Sequence, residues 1–308
     1  KQVKMISVIA PTYNRFEMIE DTIRQTLSIP TNIDFELLVI NDGDSLPFSI
    51  SHPKLSILKN PKRGVASARN FGAAHAKYPI LFFIDDDMRI TADSFKVITE
   101  LHAGGFFSDG CAVLNWNYPD TLIQEMENNK IGRYLLNAKF HTLEGRLNQR
   151  IDKSATLQKI TIIGSGSLVI SAKTFFSVDG YNEAFIFAGE DEDLSLRLQN
   201  AKIDRCLYTG ITCYHHQNDR LDIEHFLDRE FRGYLSLFST RPATLQPDKR
   251  KQLIYTALIP FRFLFIILFR LSPNFSGFDF ISFRTIGILS SITYFRAWYK
   301  AGKKKQTL

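Results

Sequence analysis

Hydrophobic residues in this chain alternate between two spacings. Short apolar runs occur at residues 6–10, 35–40, 55–58 and 80–84. Runs this short, with little alternation, predict strands buried on both faces. Between them, Phe16, Ile19, Ile23 and Leu27 recur at helical spacing. A second helix is predicted over Gly64–Ala76, where Ala66, Ala68, Gly72, Ala73 and Ala74 would let it pack close to a sheet. The predicted order is strand, helix, strand, strand, helix, strand, which argues for an α/β protein with a mainly parallel sheet.

The pattern continues with a helix over 92–103, a helix over 191–201 with Leu194, Leu198 and Ala201 on one face, and a strand over 204–214 ending in His215-His216. Asp193 and Arg197 stand at i,i+4 and are expected to pair. A helix over 222–238 carries Ile223, Phe226, Leu227, Tyr234, Leu235 and Phe238 on one side. Residues 112–160 are mixed, and a strand, a mobile segment and a helix are expected there. Residues 160–170 form two apolar halves around Gly-Ser-Gly-Ser, whose glycines permit close backbone approach to a ligand.

The polar breaks carry the candidate chemistry. Pro11-Thr12-Tyr13-Asn14 is expected to break the first strand, Asn41-Asp42-Gly43-Asp44 closes the second, and Asp85-Asp86-Asp87 follows the fourth. In an open α/β sheet, ligands bind at the carboxyl ends of the strands. Adjacent carboxylates raise one another's pKa, and a hard divalent cation such as Mn²⁺ or Mg²⁺ relieves that repulsion. Taken alone, the aspartate triplet fits a solvated acidic turn equally well. Beside Tyr13, Asp42 and Arg69 it completes what a nucleoside diphosphate requires: a ring for the base, an acceptor for a base N–H, a carboxylate for ribose and a cation for the diphosphate.

Composition narrows the class. The chain has 308 residues, 44% hydrophobic and 23% charged, enough for a sizeable core. Cys111, Cys206 and Cys213 are too few and too scattered for a disulfide framework or zinc cluster, which favours a reducing compartment. No signal-peptide pattern precedes Met5-Ile6-Ser7-Val8-Ile9, so a cytoplasmic protein is expected. The net charge of +6 is unevenly spread. Residues 249–308 hold 11 basic residues and one acidic, leaving 27 basic and 31 acidic in residues 1–248. The segments therefore carry +10 and −4, a basic tail on a near-neutral body.

The motifs Ser7–Arg15, Leu38–Gly43, Gly64–Asn70, Phe83–Asp87, Gly189–Leu194 and His215 stand in an order that resembles inverting GT-A fold glycosyltransferases of family 2. The resemblance spans about residues 6–216. It implies a GT-A α/β fold, a catalytic domain over 1–241 with a nucleotide-binding half of about 1–110 and an acceptor half of about 111–241, and a helical extension over 242–308. It also implies transfer of a sugar from a nucleotide-sugar, UDP-linked by expectation, to a hydroxyl of a glycan or lipid-linked acceptor. Asp42 resembles the residue that binds the base, with Pro11 and Tyr13 beside it. Arg69 would contact base or phosphates, Asp85 and Asp86 ribose and metal, and Asp87 the metal. His215 would complete the metal shell. Asp191 would be the general base, ionised at a helix N-terminus, beside Glu190. Gly164 and Ser165 would line the donor sugar or acceptor, and Trp116 would stack on a sugar or lie in the core. Asn41-Asp42-Gly43-Asp44 departs from the family's common Asp-Asp-Gly-Ser while keeping the second acid.

Two rivals remain open on sequence grounds: a nucleotidyltransferase, which would need a glycine-rich basic loop after the first strand, and a non-catalytic glycan-binding protein of the same fold. The tail, apolar over 253–269 and 280–298 but interrupted by Arg262, Arg284 and Arg296, suits amphipathic helices in the interface of an anionic membrane. Packing on the catalytic domain or in a homo-oligomer, or spanning, are the alternatives. The expected location is the inner face of the cell membrane. No nucleic-acid motif accompanies the charge.

Overall fold

The computed structural model describes residues 5–147, 149–152, 154–217, 221–240 and 248–306. The chain forms two compact units. The first comprises residues up to Tyr118, Thr142–Ile186 and Glu190–His216; the second comprises Pro119–His141, Phe187–Gly189 and residues from Gln217 onward.

The first unit is built on β1 (Met5–Thr12), α1 (Phe16–Leu27), β2 (Asp34–Asn41), β3 (Leu55–Lys59), α2 (Val65–His75), β4 (Ile80–Ile84), β5 (Met88–Arg89) and α3 (Ala92–Ala103). The strand β6 (Gly110–Asn117) follows. Two helices of the second unit, α4 (Asp120–Glu127) and α5 (Lys130–Asn137), come next. The first unit resumes with α6 (Leu143–Leu147), β7 (Leu157–Lys159), β8 (Ser167–Ser171), α7 (Ala172–Ser177), α8 (Glu190–Asn200) and β9 (Asp204–His215). The strands form one sheet in the order β3-β2-β1-β4-β8-β6-β9-β5, with β7 paired to β9.

Four strands, β3, β2, β1 and β4, are mutually parallel. Antiparallel pairs enter at β8, which lies between β4 and β6, so the sheet is mixed beyond its N-terminal half. The continuous apolar runs have a direct cause: Val8, Ile9, Ala10, Leu37, Val39, Ile40 and all of β4 are buried on both faces of the sheet. Pro11 and Thr12 do not break the first strand. The β4 ladder stops at Ile9, while β2 pairs with β1 as far as Thr12, so Pro11 lies where β1 has one strand neighbour and its missing N–H is tolerated. The segment 112–160 resolves into β6, three short helices and β7.

The second unit contains α4, α5, α9 (Ile223–Thr240), α10 (Lys249–Leu258), α11 (Arg262–Leu271) and α12 (Asp279–Gln306). Its core is aromatic. Phe238, Ala297 and Ala301 are buried under Phe231, Tyr234, Leu235, Tyr294 and Trp298, and Ile286, Leu289 and Ile292 lie fully inside. Arg133 clamps Asp279 with Nε 2.9 Å from both carboxylate oxygens. Residues 241–247, where the catalytic domain was expected to give way to the helical extension, lie outside the described residues.

The small residues of α2 are needed for its packing. A Cβ on Gly72 would lie 2.5 Å from Ile9 Cγ2 and 3.1 Å from Ile40 Cγ1, both fully buried. Overpacking of this kind costs about 1–3 kcal/mol. Gly72→Ala should therefore lower the free energy of unfolding in urea by that amount, and an unchanged midpoint would contradict the close helix–sheet contact.

Candidate active site

Because β1, β2 and β4 are parallel, Thr12, Asn41 and Ile84 end on one edge of the sheet. The residues beyond them form the site. Asp85, Asp86 and Asp87 leave β4 in a turn closed by Met88 N–H donating to Asp85 O at 3.1 Å. The next two residues form β5, which pairs with β9 through Met88 and His215. This short ladder brings His215 to the triplet, and His216 N–H donates to Asp87 O at 2.8 Å.

The three aspartates have separate environments. Asp85 is about a third exposed, whereas Asp86 and Asp87 are buried. Asp86 turns inward, accepting from Thr12 Oγ1 at 2.8 Å and from the Arg15 guanidinium. Through these contacts it supports β1 and Arg15. Burial and neighbouring Asp87 push its pKa up to about 7 against the pull of Arg15. Burial also opposes the charge on Asp87, but His215 and Arg15 outweigh it and hold that carboxyl well below the usual carboxylate range.

Asp85, Asp87 and His215 each offer an atom within 4.8 Å of the others. His215 Nε2 lies 2.9 Å from Asp87 Oδ1, an ion-pair distance. Asp87 Oδ1 and both ring nitrogens of His215 are buried without a hydrogen-bond partner among the described residues. Buried acceptors are normally satisfied. Two carboxylates and an imidazole converging here, with Asp87 Oδ1 left unpartnered, are a donor set that fits a divalent cation. Trp116 and Tyr118 hold the ring edge-on, at centroid distances of 4.8 and 5.7 Å from His215. Trp116 is only 5% exposed, so it is a wall behind the imidazole and not a platform open to a sugar.

Arg69 links this cluster to α8. Its Nη2 is 2.9 Å from Asp85 Oδ1 and its Nη1 is 2.9 Å from Glu190 Oε1. Burial works against its charge, but Asp85, Tyr181, Glu190 and Asp191 outweigh burial and raise its pKa. Both ends of the guanidinium are thus held by carboxylates. Glu190 is buried, and that burial, together with Asp191, lifts its pKa to about 7 despite Arg69. Asp191, in the first turn of α8, accepts from Ser165 N–H at 3.3 Å and from Ser165 Oγ, which also meets Tyr181 OH at 2.6 Å. Its pKa is raised because burial outweighs Arg69 and the Ser165 hydrogen bonds.

On the β2 side, both Asp42 oxygens accept from Gly64 N–H, at 3.1 and 3.0 Å, and Oδ1 also from Asn60 Nδ2 at 2.6 Å. Tyr13 is 40% exposed, with the Arg63 guanidinium 4.9 Å from its ring centroid and a 2.7 Å hydrogen bond from Arg63 to its hydroxyl. Pro11 is buried beneath. Gly164 and Ser165 lead into Gly166, where a Cβ would stand 2.8 Å from Asp85 Oδ2. Sequence reasoning passed over Arg15, Arg63, Tyr181 and Gly166 as individual site residues. Arg15 and Gly166 lay within recognised motifs but were given no role of their own; nothing near Tyr181 signalled its role.

An α/β sheet with a nucleotide-type edge, an acidic cation cluster and a buried carboxylate at a following helix defines a GT-A-like nucleotide-sugar transferase fold. The chain belongs to the family described as Glycosyl transferase family 2, whose profile matches residues 7–163. It is similar to the uncharacterized glycosyltransferase EpsJ of Bacillus subtilis (strain 168), 28% identical over 32% of this chain and 30% of that protein. Validoxylamine A glucosyltransferase of Streptomyces hygroscopicus subsp. jinggangensis (strain 5008) is 32% identical over 33% of this chain and 26% of its own length. The chain thus spans less than a third of these relatives. Among solved structures, the mannosyltransferase PcManGT from Pyrobaculum calidifontis, in complex with GDP-Man and Mn²⁺, shares the fold. Its TM-score is 0.51 at 14% identity, covering 97% of this chain and 75% of that one.

Removing one partner of a buried charge network costs roughly 3–5 kcal/mol. Arg69→Met should lose about that much stability in urea unfolding, and adding Glu190→Gln should restore part of it. Equal loss in the single and double variants would show that the bridge does not carry the coupling.

Proposed function

We propose that this chain transfers a sugar from a nucleotide-sugar, UDP-linked in the first instance, to a hydroxyl of a glycan or lipid-linked acceptor, with inversion. The observation carrying this reading is the chain of contacts from the cation cluster through Asp85 and Arg69 to Glu190, next to Asp191. Asp85, Asp87 and His215 would hold Mn²⁺ or Mg²⁺. That cation, when bound, supplies positive charge against the departing nucleoside diphosphate. Tyr13 and Asp42 would hold the base, the ring by stacking and the carboxylate by accepting a base N–H. Asp191 would take the proton of the acceptor hydroxyl. The freed oxygen would then attack the anomeric carbon from the face opposite the diphosphate, which leaves with the electron pair of the broken C–O bond. Ser165 and Tyr181 would fix the orientation of Asp191. We place the reaction at the cytoplasmic face of a membrane, a reading supported by the basic, aromatic C-terminal segment.

Two measurements test this. In a thermal-shift screen, a UDP-sugar with Mn²⁺ should stabilise the protein, by about 2.7 kcal/mol at a hundredfold excess over Kd, and Asp87→Asn should remove the Mn²⁺-dependent part. No response to any nucleotide-sugar would remove the transferase reading. Asp191→Asn should lower turnover by about 10²–10⁴-fold while donor binding is kept; retained turnover would favour another base, and lost donor binding would favour a structural role.

The pH dependence follows from Asp191. A base must be ionised to accept a proton, and the pKa of Asp191 is raised. Turnover should therefore fall on acidification through a pKa above the ordinary Asp value of about 3.9. An initial-rate profile flat down to that value would contradict the assignment.

A further inference from the structure

The helices α10 and α11 carry apolar residues that nothing in their own unit covers. On α11, Ile266 and Phe269 are buried, while Phe263, Leu264, Ile267, Leu268 and Leu271 are exposed. The exposed set follows i, i+1, i+4, i+5, i+8 spacing, a second apolar stripe along one helix. On α10, Leu253 is 75% exposed. Residues Lys249–Leu271 are apolar and long enough to cross a membrane, and only 11% of their most apolar window is buried, unlike a core helix. Contiguous exposed apolar surface of this kind marks an interaction site.

The charges around this surface select its partner. Lys249, Arg250 and Lys251 open α10, all exposed, and no carboxylate occurs from residue 249 to 278. The first acid beyond, Asp279, is already engaged by Arg133. Glu224 of α9 is likewise engaged, by Arg270 of α11 at 2.7 Å, and apolar residues next to the three exposed cations of α10 match a lipid surface bearing negative headgroups.

The geometry also distinguishes lying in the bilayer from crossing it. The run is interrupted by a 3-10 turn over Ile259–Phe261 that contains Pro260. Lys130 Nζ donates to Phe269 O at 2.6 Å and Ser272 O at 2.8 Å, tying the end of α11 to α5. A crossing would strip Ile266 and Phe269 from their packing and break these bonds.

We propose that the outer faces of α10 and α11 dock in the interface of an anionic lipid bilayer, parallel to its plane. The proposal is independent of the transferase reading, because it is tested by lipid binding alone. In flotation assays the full chain should bind vesicles of phosphatidylcholine mixed with phosphatidylglycerol and bind phosphatidylcholine alone far more weakly. The double variant Phe263→Glu, Leu268→Glu should lose binding with an unchanged melting temperature, since both side chains are exposed. If that variant misfolds, Lys249→Glu, Arg250→Glu, Lys251→Glu serves in its place. This triple variant should bind the anionic vesicles at least about a hundredfold more weakly. The proposal is overturned by any of three results: failure of the wild-type chain to bind either vesicle, resistance of the bound protein to alkaline carbonate extraction, or a wild-type dimer in ultracentrifugation that the double variant dissociates.

Discussion

The guanidinium of Arg69, buried between Asp85 and Glu190, is the contact on which the candidate active site rests. Asp85 follows the last strand of the parallel half of the sheet, and Glu190 opens a helix more than a hundred residues later. Two carboxylates brought that close inside a protein would raise each other's pKa and part. A single delocalised cation with a planar fork can serve both. The arrangement leaves Arg69 Nε and Glu190 Oε2 buried without partners among the described residues. Such incomplete satisfaction is common where a site is built for a further ligand. The strut therefore fixes the distance between the acidic loop and α8 before any ligand arrives.

The aspartate triplet divides its work by depth. Asp86 faces inward to Thr12 and Arg15, and that contact anchors the loop to β1. Asp87 lies deeper still, where Arg15 and His215 keep it charged. Asp85 keeps an exposed edge and rests against Gly166, the position where a side chain would collide with it. Like charges next to each other in sequence are tolerable because Arg15 forks across Asp86 and Asp87 while Asp85 turns away to Arg69. Trp116 and Tyr118 then limit the imidazole of His215 to one orientation, as supporting groups do around a metal ligand.

The second unit uses the same aromatic richness differently. Of the 26 phenylalanines, Phe231 and Phe238 of α9 and Phe295 of α12 pack in a core, whereas those at 261, 263, 275, 278 and 280 remain exposed. Composition alone cannot separate these groups. Only the packing of Ile266 and Phe269 inward, with Lys130 holding the helix end, assigns the outer stripe to something beyond the chain.

Much of this was legible from residue order. The buried strands declared themselves because a strand covered on both faces must be apolar throughout, and Asp193 and Arg197 pair at 2.8 Å as helical spacing requires. Tyr13, Asp42, Asp85, Asp87 and His215 stood out in motifs at strand ends and Asp191 in a motif at a helix start, and the structure brings Asp85, Asp87 and His215 together. Three things were not legible. The antiparallel entry of β8 depends on pairing across more than eighty residues. The inward turn of Asp86 and the burial of Trp116 depend on which neighbours arrive from elsewhere. The raised pKa of Asp191 comes first from desolvation, a property of the assembled surroundings. Sequence determined which side chains could do the chemistry; the tertiary structure decided which of them are charged, paired or open, because burial and partners exist only once distant segments meet.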